Sequence, residues 1–304
     1  MAKQNRQTVS YLTRRFKEVG LNPNARHGQN FLIDLNLIEL LAKSAHLTQD
    51  DVVLEIGTGT GSLTALLAAE AAQVITVEID GHLHQMAREE LETFDNIIML
   101  RQDALKNKNH FDPRVLDAID RGVKAVDGGV LKLVANLPYN VATPIISNLL
   151  RCDIVPASMT VTIQKELADR ILAQPNSKDY GALSVWIQSL CDVEMVRVMS
   201  PGVFWPRPKV ESAILHLEHR PDKRASIPNI EFFHQFVRSM FFHRRKFLRS
   251  VAISAFKNEL TKPEVDEVLS HMELGPDART EQLDVSQMQQ LCQLFRTAVE
   301  AKNG

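Results

Sequence analysis

Short apolar runs, each closed by glycine, asparagine or an acid, alternate with amphipathic stretches through most of this chain. Val52–Ile56, Gln73–Val77, Ile97–Leu100, Leu131–Ala135 and Met159–Ile163 have the length and content of buried strands. Ser62–Ala72, Ala142–Leu150, Lys165–Ala173 and Leu183–Leu190 read as helices. The alternation predicts an open α/β sheet, and in such sheets ligands bind at the carboxyl ends of the strands. Val193–Met199 and Ser212–Leu217 are expected to close it as an antiparallel hairpin.

The flanks are built differently. Residues 8–19 predict a basic amphipathic helix with Val9, Leu12, Phe16 and Val19 turned inward, stopped by Gly20. Asp34 or Asn36 is placed to cap a helix over Leu37–Ala45. Residues 106–129 are polar, end in Asp-Gly-Gly and read as a surface insertion with one short helix. The composition shifts at 219–228, and three helices are expected beyond: Ile230–Phe256, Pro263–Met272 and Asp284–Ala301, the last opened by an Asp284/Gln287 capping box. The domain plan is a basic N-terminal arm (1–27), an α/β domain (28–219), a linker (220–228) and a helical domain (229–304).

The strand run Leu131–Ala135 stops abruptly at Asn136-Leu-Pro-Tyr-Asn. Proline lacks the ladder donor and asparagine prefers turns, so an amide, a rigid kink and an aromatic ring are presented at a strand's carboxyl end. An exocyclic amine on a nucleobase becomes nucleophilic when acceptors hold its N–H groups and favour a pyramidal nitrogen. The Asn136 side-chain oxygen and the Leu137 carbonyl supply two such acceptors, with Pro138 fixing the kink. Tyr139 would stack on the base, worth about 1–3 kcal/mol. An ordinary strand–turn with a core tyrosine is the alternative.

A second glycine-rich turn joins Val52–Ile56 to the following helix. Gly57, Gly59 and Gly61 let the backbone approach a ligand, while Ser62 stands where a dinucleotide fingerprint has its third glycine. With Glu55 just before the turn, this argues for a nucleoside cofactor without a pyrophosphate, S-adenosylmethionine above all. Glu78 and Asp80 close the next strand, where a carboxylate holds a ribose diol. Asp103 follows the third strand and is placed to accept from the adenine amine. A helix cap or a loop carboxylate is the alternative for either acid. The proline-rich loop Ser200–Lys209 exposes Phe204 and Trp205, and a packed turn aromatic is the alternative there.

Composition narrows the class. Hydrophobic residues at 44% and charged residues at 24% describe a soluble globular protein of 304 residues. No apolar run reaches the roughly 18 residues a membrane span needs, and the N-terminus lacks a signal-peptide core. Cys152, Cys191 and Cys292 lie too far apart for a disulfide framework or a zinc site, so a reduced cytoplasmic compartment is expected. Charge is uneven: residues 1–30 carry Lys3, Arg6, Arg14, Arg15, Lys17 and Arg26 against Glu18 alone, and 220–249 hold eight Lys/Arg against Asp222 and Glu231. Basic flanks suit a phosphate backbone, and solvated helix faces are the alternative.

Together the motifs resemble one family, the ribosomal RNA adenine N6,N6-dimethyltransferases that modify the small-subunit RNA. The pieces are His27-Gly-Gln-Asn-Phe-Leu, Leu54-Glu-Ile-Gly-Thr-Gly-Thr-Gly-Ser-Leu-Thr, Val77-Glu-Ile-Asp, Gln102-Asp-Ala-Leu, Asn136-Leu-Pro-Tyr-Asn, Phe204-Trp-Pro-Arg-Pro-Lys-Val-Glu-Ser-Ala and Phe242-His-Arg-Arg-Lys-Phe-Leu-Arg. They run in the family's order from about residue 10 to the C-terminus. The resemblance implies a Rossmann-like S-adenosylmethionine-dependent methyltransferase domain with a seven-stranded, mostly parallel sheet, and a small all-α domain on ribosomal RNA. Cofactor contacts would fall on Asn30, Leu32, Gly57, Gly59, Glu78, Asp103 and Asn136. Asn136, Leu137, Pro138, Tyr139 and Phe204 would form the catalytic set, with Tyr139 and Phe204 sandwiching the adenine. Arg244, Arg245, Lys246 and Arg249 would meet RNA. No metal is implied, because the sulfonium carbon is already electrophilic.

Two departures stand out: the family usually has an aromatic at the His27 position, and 106–129 is longer than usual. The implied partner is small-subunit RNA in a precursor particle, with the protein acting as a monomer. Two alternatives stay open: a large-subunit RNA adenine methyltransferase of the antibiotic-resistance type, and a ribosome-assembly binding factor with secondary activity.

Overall fold

A computed structural model describes residues 9–18, 20, 29–243 and 246–303. The chain forms two units, one from residues 1–168 and 193–219, the other from 169–192 and 220–304.

The strands are β1 (Phe31–Leu32), β2 (Asp51–Ile56), β3 (Gln73–Glu78), β4 (Ile97–Arg101), β5 (Leu105–Asn107), β6 (His110–Phe111), β7 (Val130–Asn136), β8 (Ser158–Gln164), β9 (Cys191–Met199), β10 (Phe204–Trp205) and β11 (Ser212–His219), and apart from Cys191 and Asp192 at the start of β9 they belong to the first unit. A seven-stranded sheet runs in the order β4-β3-β2-β7-β8-β11-β9. The β2–β3, β3–β4, β2–β7 and β7–β8 pairs are parallel, and β11 lies antiparallel on β8. All six residues of β2 are buried, as expected of a central strand with both faces covered.

Parallel neighbours need crossovers, and helices supply them: α1 (Val9–Glu18) and α2 (Leu35–Lys43) precede the sheet, then come α3 (Ser62–Glu70), α4 (Gly81–Glu90), α5 (Pro113–Ala125), α6 (Ala142–Leu149) and α7 (Lys165–Leu172). Asp34, not Asn36, caps α2, accepting from Asn36 N and Leu37 N. In α1, Leu12 and Phe16 are buried as expected, and the side chains of Val9 and Val19 lie outside the described set.

The expected surface insertion at 106–129 is corrected by the fold. After the small β5–β6 hairpin, α5 is a thirteen-residue helix with Val115, Ala118, Ile119 and Gly122 buried. It packs on β2, β3 and β7 as the crossover from β4 to β7. Polar residues on its outer face hid this apolar stripe. Gly122 allows the close approach: a Cβ there would come within 3.2 Å of Val52 and 3.1 Å of Ile75.

The second unit contains α8 (Ala182–Gln188), α9 (Pro221–Ala225), α10 (Ile230–Met240), α11 (Leu248–Ala255), α12 (Lys262–Ser270) and α13 (Val285–Asn303). Residues 169–192, placed in the α/β domain by the sequence plan, group with these helices. Trp186 of α8 packs on Phe233 and His234 at ring separations of 6.2 and 4.7 Å, and the Tyr180 hydroxyl donates to the Leu283 carbonyl at 2.8 Å. The expected linker 220–228 contains α9, whose Lys223 donates to the Cys191 carbonyl and to Asp192 at 3.0 and 2.7 Å. The single helix expected over Ile230–Phe256 is broken between α10 and α11. Twenty residues of continuous helix would separate Phe236 from Phe256 by about 30 Å. Their rings lie 6.2 Å apart, because the chain turns back to bury both against Phe295. The Asp284/Gln287 capping box is formed as expected.

Ile119→Ala tests the place of α5. As a core residue its loss lowers unfolding free energy by about 2–5 kcal/mol in denaturant titration. A cost below about 0.5 kcal/mol would be that of a surface position.

Candidate active site

Strand register decides which side chains meet. Leu54 pairs with Leu133, Ile56 with Val77, and Glu78 with Arg101, so Gly57, Glu78, Arg101 and Asn136 end at one level. A cleft opens there, at the carboxyl ends, and Asn30, Leu32, Gly57, Gly59, Glu78, Asp103 and Asn136 all line it, with Leu137 and Pro138. Sequence positions 30 to 138 thus converge in one unit.

The glycine loop is held by Glu78. Gly59 N–H donates to Glu78 Oε2 at 2.9 Å and Asp80 N–H to Oε1 at 2.9 Å. Gly57 has φ +89°, and a Cβ there would stand 3.6 Å from the Pro138 ring, so the loop and the Asn-Leu-Pro-Tyr turn form opposing walls. Burial pushes the Glu78 carboxyl above its ordinary value, although these backbone donors favour its ionised form. Asp80 takes the helix-cap alternative, accepting from His82 N and Leu83 N of α4. Asp103 is exposed at the cleft, with Oδ1 accepting from Leu105 N at 2.9 Å.

Glu55, which in the sequence argued only for a nucleoside cofactor without a pyrophosphate, is buried in the same cleft. Thr64 and Thr76 hydroxyls both donate to its Oε2, at 2.7 and 2.6 Å. Burial raises its pKa to about 8. Two buried carboxyl groups beside the loop disfavour a pyrophosphate, and the Gly59 N–H needed to cradle one is already given to Glu78. The residues present fit a nucleoside carrying positive charge, as S-adenosylmethionine does.

Asn136 Nδ2 donates to the Asn30 carbonyl at 3.0 Å, which leaves Oδ1 as the accepting end of the amide. Leu137 N–H donates to the Thr162 carbonyl at 3.1 Å, and Val141 N–H to that of Pro138 at 3.1 Å, fixing the turn. Tyr139 is half-buried, and its hydroxyl shares a 2.5 Å hydrogen bond with Ser212, a partner no sequence signal indicated. Phe204 takes the packed alternative. It is 2% exposed, paired with Leu32 across β1–β10 and clustered with Ile38 and Ile214, so its ring does not stand open opposite Tyr139. Trp205 is also packed, against Phe16 and Phe31 at 5.3 and 6.5 Å. Both rings complete the core that the short β1 strand needs.

In the second unit, Arg244, Arg245 and, in the first, His27 lie outside the described residues. Lys246 is exposed in the break after α10 rather than on a helix. Arg249 is exposed and forks onto Asp266 at 2.5 and 2.8 Å, so its guanidinium has an internal acceptor. Phe242 is 79% exposed in the same break.

The raised carboxyls make stability pH-dependent. The folded protein holds protons that the unfolded chain has released above about pH 4.3, so stability falls as pH rises towards 8. In thermal melts without ligand, Glu55→Gln should lose part of that fall and gain on the wild type most near pH 8. Parallel melting curves from pH 5 to 8 would contradict the assignment.

A sequence model of ribosomal RNA adenine dimethylases matches residues 20–296. The ribosomal RNA small subunit methyltransferase A of Clostridium botulinum (strain Loch Maree / Type A3) is 38% identical over 270 residues, covering 88% of this chain and 92% of its own. That of Halothermothrix orenii is 38% identical, covering 86% and 84%. Among solved structures, a dimethyladenosine transferase from Plasmodium falciparum superposes with a TM-score of 0.70 at 25% identity, over 87% of this chain and 97% of its own. The 23S rRNA methyltransferase ErmE gives 0.61 at 26%, over 88% and 100%. Motifs, cleft and relatives agree, and the chain belongs to the ribosomal RNA adenine dimethylase family.

Proposed function

We propose that this protein transfers methyl groups from S-adenosylmethionine to the N6 amines of two adjacent adenosines near the 3′ end of small-subunit ribosomal RNA, during assembly of that subunit. Family membership and the small-subunit names of its 38% identical relatives support the substrate. The observation that carries the chemistry is the Asn136 amide, which lines the cleft and is anchored through Nδ2, so that its oxygen is left as an acceptor.

Asp103 would take the cofactor's adenine amine and Glu78 its ribose diol, with Asn30, Leu32, Gly57 and Gly59 as the surrounding walls. When bound, the cofactor supplies a methyl group on an electron-poor sulfonium. The protein's part is to present the amine. Asn136 Oδ1 and the Leu137 carbonyl accept its two N–H groups and favour a pyramidal nitrogen with an available lone pair. Such orientation is worth on the order of 7–11 kcal/mol. Extruding the adenosine costs a few kcal/mol, which stacking on Tyr139 offsets. Phe204 would join only if the chain around it opened, since its ring is buried. After one transfer the amine keeps a single N–H, so one acceptor suffices and the second methylation depends on space and stacking.

RNA would be gripped by Arg244, Arg245 and Lys246, with Arg249 contributing after release from Asp266. The partner on this reading is a small-subunit RNA particle, in keeping with the names of the relatives.

Asn136→Ala should abolish transfer of labelled methyl to unmethylated small subunits while cofactor binding stays measurable. Transfer within tenfold of wild type would refute the amine-holding role. Replacing Arg244, Arg245 and Lys246 by glutamine should weaken RNA binding and reduce the slope of log K against log salt by about two to three. An unchanged slope would place the RNA surface elsewhere.

A further inference from the structure

Four polar groups stand along the cleft in the order of their strands in the sheet. Asp103 follows β4, Glu78 ends β3, Glu55 belongs to β2 and Asn136 ends β7. On the cofactor reading above, which this inference rests on, three have partners: adenine, ribose and target amine. Glu55 has none, yet lies between the ribose and amine positions. In S-adenosylmethionine the atom between the ribose and the transferable methyl is the charged sulfur.

The surroundings of Glu55 are unusual for a carboxylate. It is 1% exposed. Around it, β3 contributes Glu78 and the Thr76 hydroxyl, α3 the Thr64 hydroxyl, and the glycine loop Thr58, which is bonded to Thr76 at 2.6 Å. Asn136 of β7 is uncharged. Among the described residues the one charge acting on Glu55 is thus Glu78, of like sign, and it adds to burial in keeping a proton on the carboxyl, while the two threonine hydroxyls oppose. A carboxyl so balanced lacks only a nearby cation to ionise.

We propose that Glu55 reads the charge on the cofactor's sulfur, losing its proton when the sulfonium form binds and regaining one when the neutral thioether form takes its place. On binding, the Glu55 O–H bond breaks, the proton passes to solvent, and the carboxylate faces the sulfonium. On transfer, the C–S bonding pair stays on sulfur, the positive partner vanishes, and solvent reprotonates Glu55. No covalent bond to the protein forms. Glu55 therefore sets specificity for substrate cofactor over demethylated product, and two successive methylations require that exchange between rounds.

Proton counting tests this without turnover. S-Adenosylmethionine and S-adenosylhomocysteine are each titrated calorimetrically into the full chain at pH 6.5, in buffers of different ionisation enthalpy, without RNA. At that pH both ligands' amino groups keep their protons. The wild type should release about one proton per S-adenosylmethionine and close to none per S-adenosylhomocysteine, and Glu55→Gln close to none with either. The wild-type preference for S-adenosylmethionine should also rise with pH, by at most about tenfold per unit, until Glu55 ionises unaided near pH 8, and should stay flat in the variant. Equal proton counts for the two ligands, or release retained in Glu55→Gln, would overturn the proposal. Should that variant not fold, Thr64→Val removes a donor that favours the ionised form, so the pH at which the S-adenosylmethionine preference stops rising should move upward from the wild-type value; an unmoved plateau is contrary. Failure of the wild type to bind either ligand would remove the cofactor reading and this proposal with it, whereas binding with equal counts removes this one alone.

Discussion

The level at which four parallel strands end decides which residues meet in this protein's cleft. Register pairs Leu54 with Leu133, Ile56 with Val77, and Glu78 with Arg101. Residues far apart in sequence therefore reach one cleft without any flexible element having to carry them. A slip of one residue in β7 would turn Asn136 to the other face of the sheet. The buried residues of β7 oppose that slip, since Leu131 and Leu133 would lose their core positions with it. Packing thus sets the geometry of the cleft.

Two hydrogen bonds orient the polar groups of the Asn-Leu-Pro-Tyr turn. The Asn30 carbonyl consumes the donor end of the Asn136 amide, and Ser212 holds the Tyr139 hydroxyl. Asn30 precedes β1, whose pairing with β10 is in turn sealed by Phe16, Phe31 and Trp205. A helix near the N-terminus and a proline-rich loop near residue 204 thus support the same amide from opposite ends of the unit's sequence. Buried carboxyls then set the electrostatic character of the cleft, hospitable to a cation and hostile to a phosphate.

Much of this was legible from residue types. Apolar runs closed by turn residues marked the central strands within a residue or two, and Asn136, Glu78, Asp103 and the glycines announced themselves at strand ends. What escaped was written in long-range contacts. The apolar stripe of α5 was diluted by Arg114, Asp117, Asp120 and Arg121, so its place in the sheet's crossover was missed. The break after Met240 has no proline or glycine to mark it, and only the demand that Phe236 and Phe256 meet imposes it. Phe204 looked exposed beside prolines, but its strand pairing with Leu32 buries it. Ser212 had no local signal at all.

Mapping the product distinguishes a specific transfer to one RNA from every other outcome. Labelled methyl groups from S-adenosylmethionine are offered to unmethylated small and large ribosomal subunits, and the modified nucleosides are identified by mass and position. Dimethyladenosine is expected at two adjacent positions near the 3′ end of small-subunit RNA, with none in the large subunit. Label confined to large-subunit RNA, or tight small-subunit binding with no label, would contradict it.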